Sequence, residues 1–575
     1  MQFMKRLLAA TFTLGTLVLG AGASTSCAHD SATAAPATKH VAPAVLETGA
    51  VAVPDEFAAQ AAEQILTSGG NAVDAAVAVE LALAVTYPEA GNIGGGGMMT
   101  IYVDGQPYFL DYRERAPAAA TRDMYLDDKG NATGKTSVVG HRAIAVPGTV
   151  MGLWEAHRRF GKLPWKQVMA PALRLARDGF VVPTMLVERR DFMKKTFEGK
   201  VNFLDYFGPM KAGELFRQPE LEATLLRIAE DGAKGFYEGK VAALVTAEMS
   251  RRDGLITAAD LAAYTAVWRA PIRTMWNGLE VVTAPPPSSG GIGLIQLLKM
   301  KVAMADAFKD VPLNSAQYVH LLAELEKRVF ADRAEYLGDP DFNENPVDRL
   351  LDDRYIAKRV KTVSLSAPSR TEEIMPGLTE SDETTHISIV DRWGNAVSST
   401  YTLNGKFGSG VVVTGAGFLM NNEMDDFSIK PGVANRYGVV GTNANAIAPN
   451  KRMLSSMTPT ILLKDGKVAM VIGTPGGSRI FTSVLQVMCD VYEFHLPLEQ
   501  AVSELRAHHQ LLPANTIFSE PYKPIDGPLA DDLRARGYKI EPLTSMGDIQ
   551  VIQVVDRAPA AASDPRGRGR ARLIH

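Results

Sequence analysis

Two threonines, Thr384 and Thr385, stand at the head of a strand-like run, directly after a polar stretch that ends at Glu383. A threonine becomes an effective nucleophile when it is the first residue of a chain, because its own α-amine can accept the proton of the hydroxyl group. Two threonines at the start of a strand are also ordinary, since β-branched residues favour strands. The pattern alone therefore leaves open whether Thr384 is a nucleophile or a structural residue.

The common signatures of other hydrolases and of zinc sites are absent from the sequence, which contains no Gly-x-Ser-x-Gly elbow, His-Glu-x-x-His helix or Cys-x-x-Cys pair. His508 and His509 are adjacent, and adjacent side chains of a helix do not share a face, so no metal pair is expected there. The 2 cysteines, Cys27 and Cys489, cannot form a disulfide framework. Cys489 lies in an apolar run that is typical of a buried side chain.

Several charged and hydroxyl groups have both a structural and a functional interpretation. Arg113 lies in a charge-rich run of the kind found on solvated surfaces. Glu423 and Asp426 lie in an acidic cluster that suits a helix start or a cation site with oxygen ligands. Ser455 and Ser456 could form a Ser/Thr turn. The residue types alone do not decide between these alternatives.

Two glycine-rich segments have different expected roles. Gly476 and Gly477 precede an apolar helical pattern, and the unpaired N–H groups of a helix start favour negative charge. The run from Gly91 to Gly97 precedes a strand, whereas phosphate-binding loops run from strand through glycine into helix. We therefore interpret that run as close backbone packing and not as a nucleotide site.

The elements that position these groups belong to a large globular chain. The 575 residues are 46% apolar and 22% charged, which excludes global disorder. The 60 basic and 64 acidic residues give a formal charge of -4, so no general attraction to nucleic acid or anionic lipid is expected. We therefore predict no nucleic-acid partner.

The N-terminus has the pattern of a secretory signal. Lys5 and Arg6 precede an apolar run from Leu7 to about Leu19 and then small residues, which predicts a signal peptide over residues 1–23. The apolar run is too short to span a bilayer. A periplasmic or secreted protein without a membrane span is expected. Cys27 is a candidate lipid anchor, in which case the signal would end at residue 26.

Helical and strand-like segments alternate along the rest of the chain. Two alanine-rich helices are predicted between Pro54 and Val85, with Asn71 as the N-cap of the second, which should be buried on every side. Residues 147–249 have mostly helical patterns, and residues 360–383 have the composition of an exposed linker. Strands are predicted over residues 98–103, 385–390, 396–403, 410–414, 458–463 and 468–473. Antiparallel hairpins flanked by helices suggest sheets covered on both faces.

Short motifs follow one another along the chain. Those before residue 384 are Gly70-Asn71-Ala72-Val73-Asp74-Ala75-Ala76, Gly94-Gly95-Gly96-Gly97 and Asp111-Tyr112-Arg113-Glu114-Arg115-Ala116-Pro117. Those after it are Thr384-Thr385-His386, Thr400-Tyr401-Thr402-Leu403-Asn404, Asn421-Asn422-Glu423-Met424-Asp425-Asp426-Phe427, Leu454-Ser455-Ser456-Met457-Thr458-Pro459 and Gly473-Thr474-Pro475-Gly476-Gly477-Ser478-Arg479. In this order they resemble the motifs of the γ-glutamyltransferases, also called γ-glutamyl transpeptidases. The resemblance runs from about Val45 to the end of the Ser563-Asp564-Pro565-Arg566 run.

The resemblance implies an α/β (α+β) protein with the four-layer αββα N-terminal-nucleophile fold. It also implies a precursor that cuts itself between Glu383 and Thr384. A large subunit, residues 24–383, would then stay bound to a small subunit, residues 384–575, in one intertwined globular heterodimer. Thr384 would take the γ-glutamyl group of glutathione or a related compound as an ester, which water hydrolyses or an amino acid or peptide amine captures. This chemistry needs no metal, flavin or nucleotide cofactor.

The resemblance also implies roles for the residues that recognise the substrate. Arg113, with Ser455 and Ser456, would bind the α-carboxylate, because a planar guanidinium can make two charge-assisted bonds with it. The remaining acceptors would bind the α-ammonium group, and they are Asn404, Glu423 and Asp426. Some members carry Gln where Glu423 stands, so this chain follows the acidic variant.

Further roles are implied for residues around the nucleophile. Thr402 would hydrogen-bond Thr384, and the N–H groups of Gly476 and Gly477 would form an oxyanion hole. Tyr437 would lie on a mobile loop that covers the pocket in bacterial members, and the alternative for residues 431–442 is an ordinary surface loop.

Two rival functions remain at this point. An amide acylase of the same superfamily, acting on glutaryl or cephalosporin-type amides, would lack part of the α-amine and α-carboxylate pocket. The retention of that set of residues argues against the acylase. A non-catalytic periplasmic binding protein would remain an uncut chain.

Overall fold

The computed structural model describes residues 45–133, 135–374, 383–430 and 442–575. The predicted signal peptide, the candidate lipid anchor Cys27 and the loop residue Tyr437 lie outside these described residues.

Most of the described strands belong to two antiparallel sheets. In chain order the strands are β1 (Gly49–Val53), β2 (Gly96–Val103), β3 (Gln106–Tyr112), β4 (Phe180–Val181), β5 (Leu215–Phe216), β6 (Val267–Arg269), β7 (Ile272–Trp276), β8 (Leu279–Thr283), β9 (Glu383–Val390), β10 (Ala396–Asn404), β11 (Thr460–Lys464), β12 (Lys467–Gly473), β13 (Thr516–Ser519), β14 (Lys539–Pro542), β15 (Gln550–Val555), β16 (Ala558–Ser563) and β17 (Arg570–Ile574). The first sheet has the order β17-β1-β9-β10-β2-β3-β6, and the second has the order β16-β15-β12-β11-β8-β7. Two small pairs, β4-β5 and β13-β14, lie apart from them.

The α-helices of the described residues are numbered in chain order. They are α1 (Glu56–Thr67), α2 (Ala72–Thr86), α3 (Thr149–Phe160), α4 (Trp165–Asp178), α5 (Thr184–Phe197), α6 (Phe203–Phe207), α7 (Pro219–Asp231), α8 (Lys234–Tyr237), α9 (Gly239–Ser250), α10 (Ala258–Ala262), α11 (Gly290–Ala303), α12 (Ala305–Phe308), α13 (Ala316–Tyr336), α14 (Val347–Leu351), α15 (Asp353–Val360), α16 (Thr371–Ile374), α17 (Ile480–Tyr492), α18 (Leu498–Ser503) and α19 (Gly527–Ala535).

The two sheets pack face to face, and helices cover both outer faces. An apolar cluster between the sheets includes Ala52, Val390 and Val471, and the Thr100 hydroxyl donates across to the carbonyl of Pro459 at 2.7 Å. One large core joins the first sheet to the helices α1 to α4. A second core joins the other sheet to α11, α13 and α17. Helix, sheet, sheet and helix therefore form the predicted αββα architecture, which confirms the α/β class.

Helix α2 shows how local sequence sets this packing. Every residue from Ala72 to Thr86 is buried, as its apolar composition predicts. The Asn71 side chain accepts from the N–H groups of Val73 and Asp74, and the Asp74 carboxylate accepts the Asn71 N–H at 3.0 Å. This reciprocal capping box confirms Asn71 as the N-cap.

The glycine run before β2 permits close backbone contact. A Cβ atom on Gly94 would lie 2.1 Å from the carbonyl oxygen of Leu419, and one on Gly95 would lie 2.0 Å from that of Thr402. A side chain at either position would collide with backbone atoms. The interpretation of this run as packing is confirmed.

One prediction about local structure is wrong. Residues 410–414 form no strand, although they are rich in valine, and Val412 makes only an isolated bridge with Leu419. The cause is the flanking glycines, since Gly410 has a φ of +73° and Gly415 has a φ of +79°, which turn the chain out of a ladder. Residues 361–370 of the predicted linker are exposed or half-buried, as predicted, and the Ser369 N–H donates to a buried Glu324 carboxylate at 2.9 Å.

The strands from either side of residue 384 are interleaved. Strand β1 lies between β17 and β9 in the first sheet, and β2 lies beside β10. In the second sheet β8 pairs with β11. Neither part of the chain therefore builds a whole sheet by itself.

Two smaller findings complete the fold. Cys489 is fully buried in α17, as predicted. Among the helices of the described residues, none combines the length and apolar character needed to cross a bilayer.

Candidate active site

One small cavity brings together most of the predicted site residues. They come from the ends of β3, β9 and β10 and from the segments on either side of β11 and β12. The lining residues are Arg113, Thr384, Thr402, Asn404, Glu423, Asp426, Ser455, Ser456, Met457, Gly477 and Ile480. Gly476 is not part of the lining, and Tyr437 lies outside the described residues.

Strand pairing positions Thr384 at one end of the cavity. Strand β9 runs through the bond between Glu383 and Thr384, and Thr384 lies opposite Thr402 of β10. The ladder shifts register between Thr402 and Asn404, next to the Glu383–Thr384 bond. The Thr402 hydroxyl oxygen accepts the Asn404 N–H at 2.7 Å, which holds this irregularity. Bulges of this kind occur often beside active sites because they redirect side chains.

His386 follows the nucleophile candidate but belongs to the interior between the sheets. Its Nδ1 atom lies 2.7 Å from the Thr400 hydroxyl, and its Nε2 atom lies 3.2 Å from that of Ser388. Burial lowers the pKa of His386 to about 3, so the ring is neutral at physiological pH. The residue does not line the cavity.

The turn before α17 supplies backbone N–H groups at the same end. Gly476 has a φ of +135° and Gly477 has a φ of +57°, both in regions that favour glycine. They open the short 3-10 helix Gly477–Arg479, which leads into α17. The predicted helix start is confirmed, and Gly477 is the glycine that reaches the cavity wall.

At the other end Arg113 lies among three carboxylates. Its Nη1 atom is 2.8 Å from Glu423 and 3.5 Å from Glu114, and its Nη2 atom forms an ion pair with Asp426. Arg113 is only 1% exposed, so it is not the surface charge that its sequence context suggests. The sequence predicts these residues for one pocket, but it does not predict that they contact one another directly.

Burial changes the protonation of the carboxyl groups around Arg113. It raises the pKa of Glu114 to about 8, against the opposing effect of the Arg113 charge. It also raises the pKa of Glu423 well above its ordinary value and that of Asp426 above its ordinary value. One guanidinium cannot balance three ionised carboxylates in a buried site, so burial favours the protonated forms of these carboxyl groups.

Asparagine side chains fix the acidic segment to its surroundings. The Asn404 amide donates to the carbonyl of Asn422 at 2.9 Å, and Asn404 has a φ of +73° at the end of β10. The Asn421 side chain accepts the N–H groups of Ala145 and Glu423. These bonds place the 3-10 helix Glu423–Asp426 against the end of β10.

The two serines are held by a segment distant in sequence. The Ser455 carbonyl accepts both the N–H and the hydroxyl of Ser289 at 2.7 Å. The Ser456 hydroxyl lies 3.3 Å from that of Ser289. The Ser455 hydroxyl also accepts the Met457 N–H at 3.1 Å, so the predicted Ser/Thr turn is present within the pocket wall.

Sequence reasoning missed several residues that support this pocket. Glu114 is adjacent to Arg113, and the end of β3 at Tyr112 breaks the alternation that would turn neighbouring side chains to opposite faces. Arg333 of α13 donates to the Ser289 hydroxyl at 2.7 Å. No sequence pattern connects Arg333 with Ser289, because the two residues meet only through the packing of α13 behind the turn at Ser289.

Comparisons with known proteins point to one family. The family model described as Gamma-glutamyltranspeptidase matches residues 58–574. A glutathione hydrolase proenzyme of Pseudomonas aeruginosa is 60% identical over 527 residues, which cover 92% of this chain and 94% of that protein.

Two solved structures are similar to the fold. A γ-glutamyltranspeptidase chain from Pseudomonas nitroreducens, in complex with L-DON, is 57% identical with a TM-score of 0.57, and the match covers 58% of this chain and 99% of that one. A cephalosporin acylase from Bacillus halodurans is 27% identical with a TM-score of 0.79, and the match covers 94% of this chain and 98% of that one.

Proposed function

This chain belongs to the γ-glutamyltranspeptidase family, and we propose that it is a self-processing enzyme that hydrolyses or transfers the γ-glutamyl group of glutathione and related compounds. The observation that carries the proposal is a cavity whose lining Thr384 shares with a buried arginine, two carboxylates and two serines. The enzyme is then a transferase and hydrolase that is made as a zymogen.

Self-processing would begin at the bond before Thr384. The Thr384 hydroxyl adds to the carbonyl carbon of Glu383, and the peptide nitrogen leaves as the α-amine of Thr384. Water then hydrolyses the resulting ester, which gives a carboxylate on Glu383 and restores the hydroxyl. The register shift next to this bond supports the assignment, since an irregular ladder leaves room for the tetrahedral geometry.

The free amine of Thr384 would then serve as the base for γ-glutamyl transfer. The hydroxyl attacks the γ-carbonyl of the donor, the donor amine leaves, and water or an acceptor amine resolves the ester. Thr402 would hydrogen-bond and orient Thr384, and the N–H groups of Gly476 and Gly477 would stabilise the oxyanion. Each such donor is typically worth about 2.7 to 4 kcal/mol.

The opposite end of the cavity would recognise the α-amino-acid part of the donor. Arg113 would bind the α-carboxylate together with Ser455 and Ser456. The α-ammonium group would be bound by Asn404, Glu423 and Asp426. This complete set separates the proposal from the acylase alternative, because a glutaryl amide has no α-ammonium group for the buried carboxylates to bind.

The cut protein would be a heterodimer of residues 24–383 and 384–575 located in the periplasm or outside the cell. The interleaved strands support a lasting association of the two pieces. The charge pattern and short apolar run of residues 1–23 support export.

Two measurements on the purified protein test the proposal. N-terminal sequencing of the smaller fragment should begin at Thr384. Release of nitroaniline should be measured from γ-glutamyl-p-nitroanilide and from glutaryl-p-nitroanilide. We expect strong preference for the γ-glutamyl donor, whereas preference for the glutaryl donor would favour an acylase and an uncut, inactive chain would favour a binding protein.

A further inference from the structure

Asn445 makes a buried link between two segments that both contribute residues to the cavity lining. It is 4% exposed and ends the short 3-10 helix Asn443–Asn445. Its Nδ2 atom donates to the backbone carbonyl of Asp426 at 2.7 Å, and its Oδ1 atom accepts the N–H of Leu454 at 2.9 Å. One partner is an acceptor and the other is a donor, so the orientation of the amide is defined.

Arg113 links the same two residues from inside the cavity. Its Nη2 atom lies 3.4 Å from the carbonyl of Leu454 and also forms the ion pair with the Asp426 side chain. The acidic wall, Glu423 and Asp426, and the serine wall, Ser455 and Ser456, are therefore joined twice. Arg113 joins them on the cavity side, and Asn445 joins them behind it.

These two links differ in what substrate binding demands of them. On the proposed function, on which this inference rests, Arg113 must turn its donors towards the α-carboxylate of the donor. Its bonds to Asp426 and Leu454 then weaken or break. Asn445 has no substrate to bind, and its backbone carbonyl is additionally anchored by the Ser428 N–H at 2.9 Å.

We propose that Asn445 is a positioning residue that keeps the acidic wall and the serine wall at the spacing required by an α-amino acid when Arg113 engages the substrate. A γ-glutamyl donor carries a carboxylate and an ammonium group on one carbon, so it must contact both walls at once. A change in their spacing weakens donor binding, while the bond-making groups at Thr384 remain in place.

The test compares Asn445→Ala and Asn445→Asp with the wild-type enzyme. Asn445→Ala removes both side-chain bonds, and Asn445→Asp keeps the acceptor for Leu454 but places an oxygen against the Asp426 carbonyl. We expect the KM for γ-glutamyl-p-nitroanilide to rise roughly tenfold in each variant, since two neutral hydrogen bonds are weakened or lost. The kcat value and self-cleavage should change far less.

Asn443→Ala is the matched control, because the Asn443 side chain accepts only a surface bond from Arg122 at 2.9 Å among its described contacts. It should leave both constants unchanged. An unchanged KM in Asn445→Ala, or a loss confined to kcat, would overturn the assignment. Failure of both Asn445 variants to self-cleave would also overturn it, since the residue would then be required for folding.

Wild-type activity is measured first and separates the two hypotheses. A wild-type protein without γ-glutamyl hydrolase activity would reject the proposed function, and the role of Asn445 with it. An active wild type with unaffected Asn445 variants would reject the role of Asn445 alone.

Discussion

The two ends of the cavity are built in different ways. At the nucleophile end, strand register and glycine dihedral angles place Thr384, Thr402 and Gly477. At the recognition end, a buried ion-pair cluster around Arg113 and side-chain bonds from distant loops place the charged groups. The first end depends on backbone geometry and the second on electrostatic balance. Chemistry and substrate affinity should therefore respond to different substitutions.

The largest expected effect is at the nucleophile end. Thr384→Ala removes the hydroxyl that attacks the Glu383 carbonyl, so the chain should remain full length and show no measurable turnover. A denaturing gel and the nitroanilide assay check both outcomes. Thr385→Val is the control, because the buried Thr385 hydroxyl has no hydrogen-bond partner among the described residues. Normal cleavage of Thr384→Ala would show that Thr384 is not the nucleophile, and the nucleophile end would have to be assigned again.

The next effect tests whether the recognition end is separable from cleavage. Arg113→Lys replaces a planar donor group by a point charge that cannot pair with two carboxyl groups in the same way. We expect kcat/KM to fall about 10- to 100-fold, because hydrogen bonds between charged groups are involved. Self-cleavage should persist. Arg115→Lys, outside the cavity lining, should retain wild-type kinetics, and equal losses in both variants would contradict the assignment.

A third variant examines the dependence of the nucleophile end on backbone geometry. Gly476→Ala introduces a Cβ at a φ of +135°, where the nearest atom is 3.7 Å away, so the cost is conformational and not steric. We expect kcat to fall roughly tenfold at nearly constant KM, since the strain displaces an oxyanion donor. Gly537→Ala, at a φ of +102°, should lower thermal stability without changing kcat. A rise in KM alone would place Gly476 at the recognition end.

The smallest effect concerns the pH dependence of donor binding. Burial raises the pKa values of Glu423 and Asp426, and that of Glu114 to about 8, and an α-ammonium group requires these carboxyl groups without their protons. These protons leave more easily as pH rises, so KM should fall a few-fold between about pH 6 and pH 8. Glu423→Gln should flatten this trend in KM. An identical slope in wild type and variant would show that proton release is not part of binding.

Local sequence predicted the elements that carry their own signals. The capping box at Asn71, the apolar length of α2 and the alternation of β9 and β10 are all contained within short windows. The order of strands in the sheets could not be predicted, because pairs such as β1 with β17 join distant parts of the chain. Residues 410–414 show that a local signal can also mislead. Their β-branched composition predicted a strand, but the glycine turns prevent one.

The candidate site was predicted as a set of residues but not as a network. Ordered motifs brought Arg113, Glu423 and Ser455 into one pocket, and the structure gathers them there. Their mutual ion pairs and the supports from Ser289 and Asn445 depend on loop packing over long sequence separations. Such contacts leave no periodic or spacing signal in a single sequence.

The interleaving of strands has a consequence for the lifetime of a cut molecule. A break before Thr384 would leave two polypeptides that share both sheets, so neither could depart without melting the ladders between them. Their separation would be governed by an unfolding barrier and not by a dissociation constant. Dilution should therefore leave the pair intact, and halves produced separately would have to fold around each other to regain it.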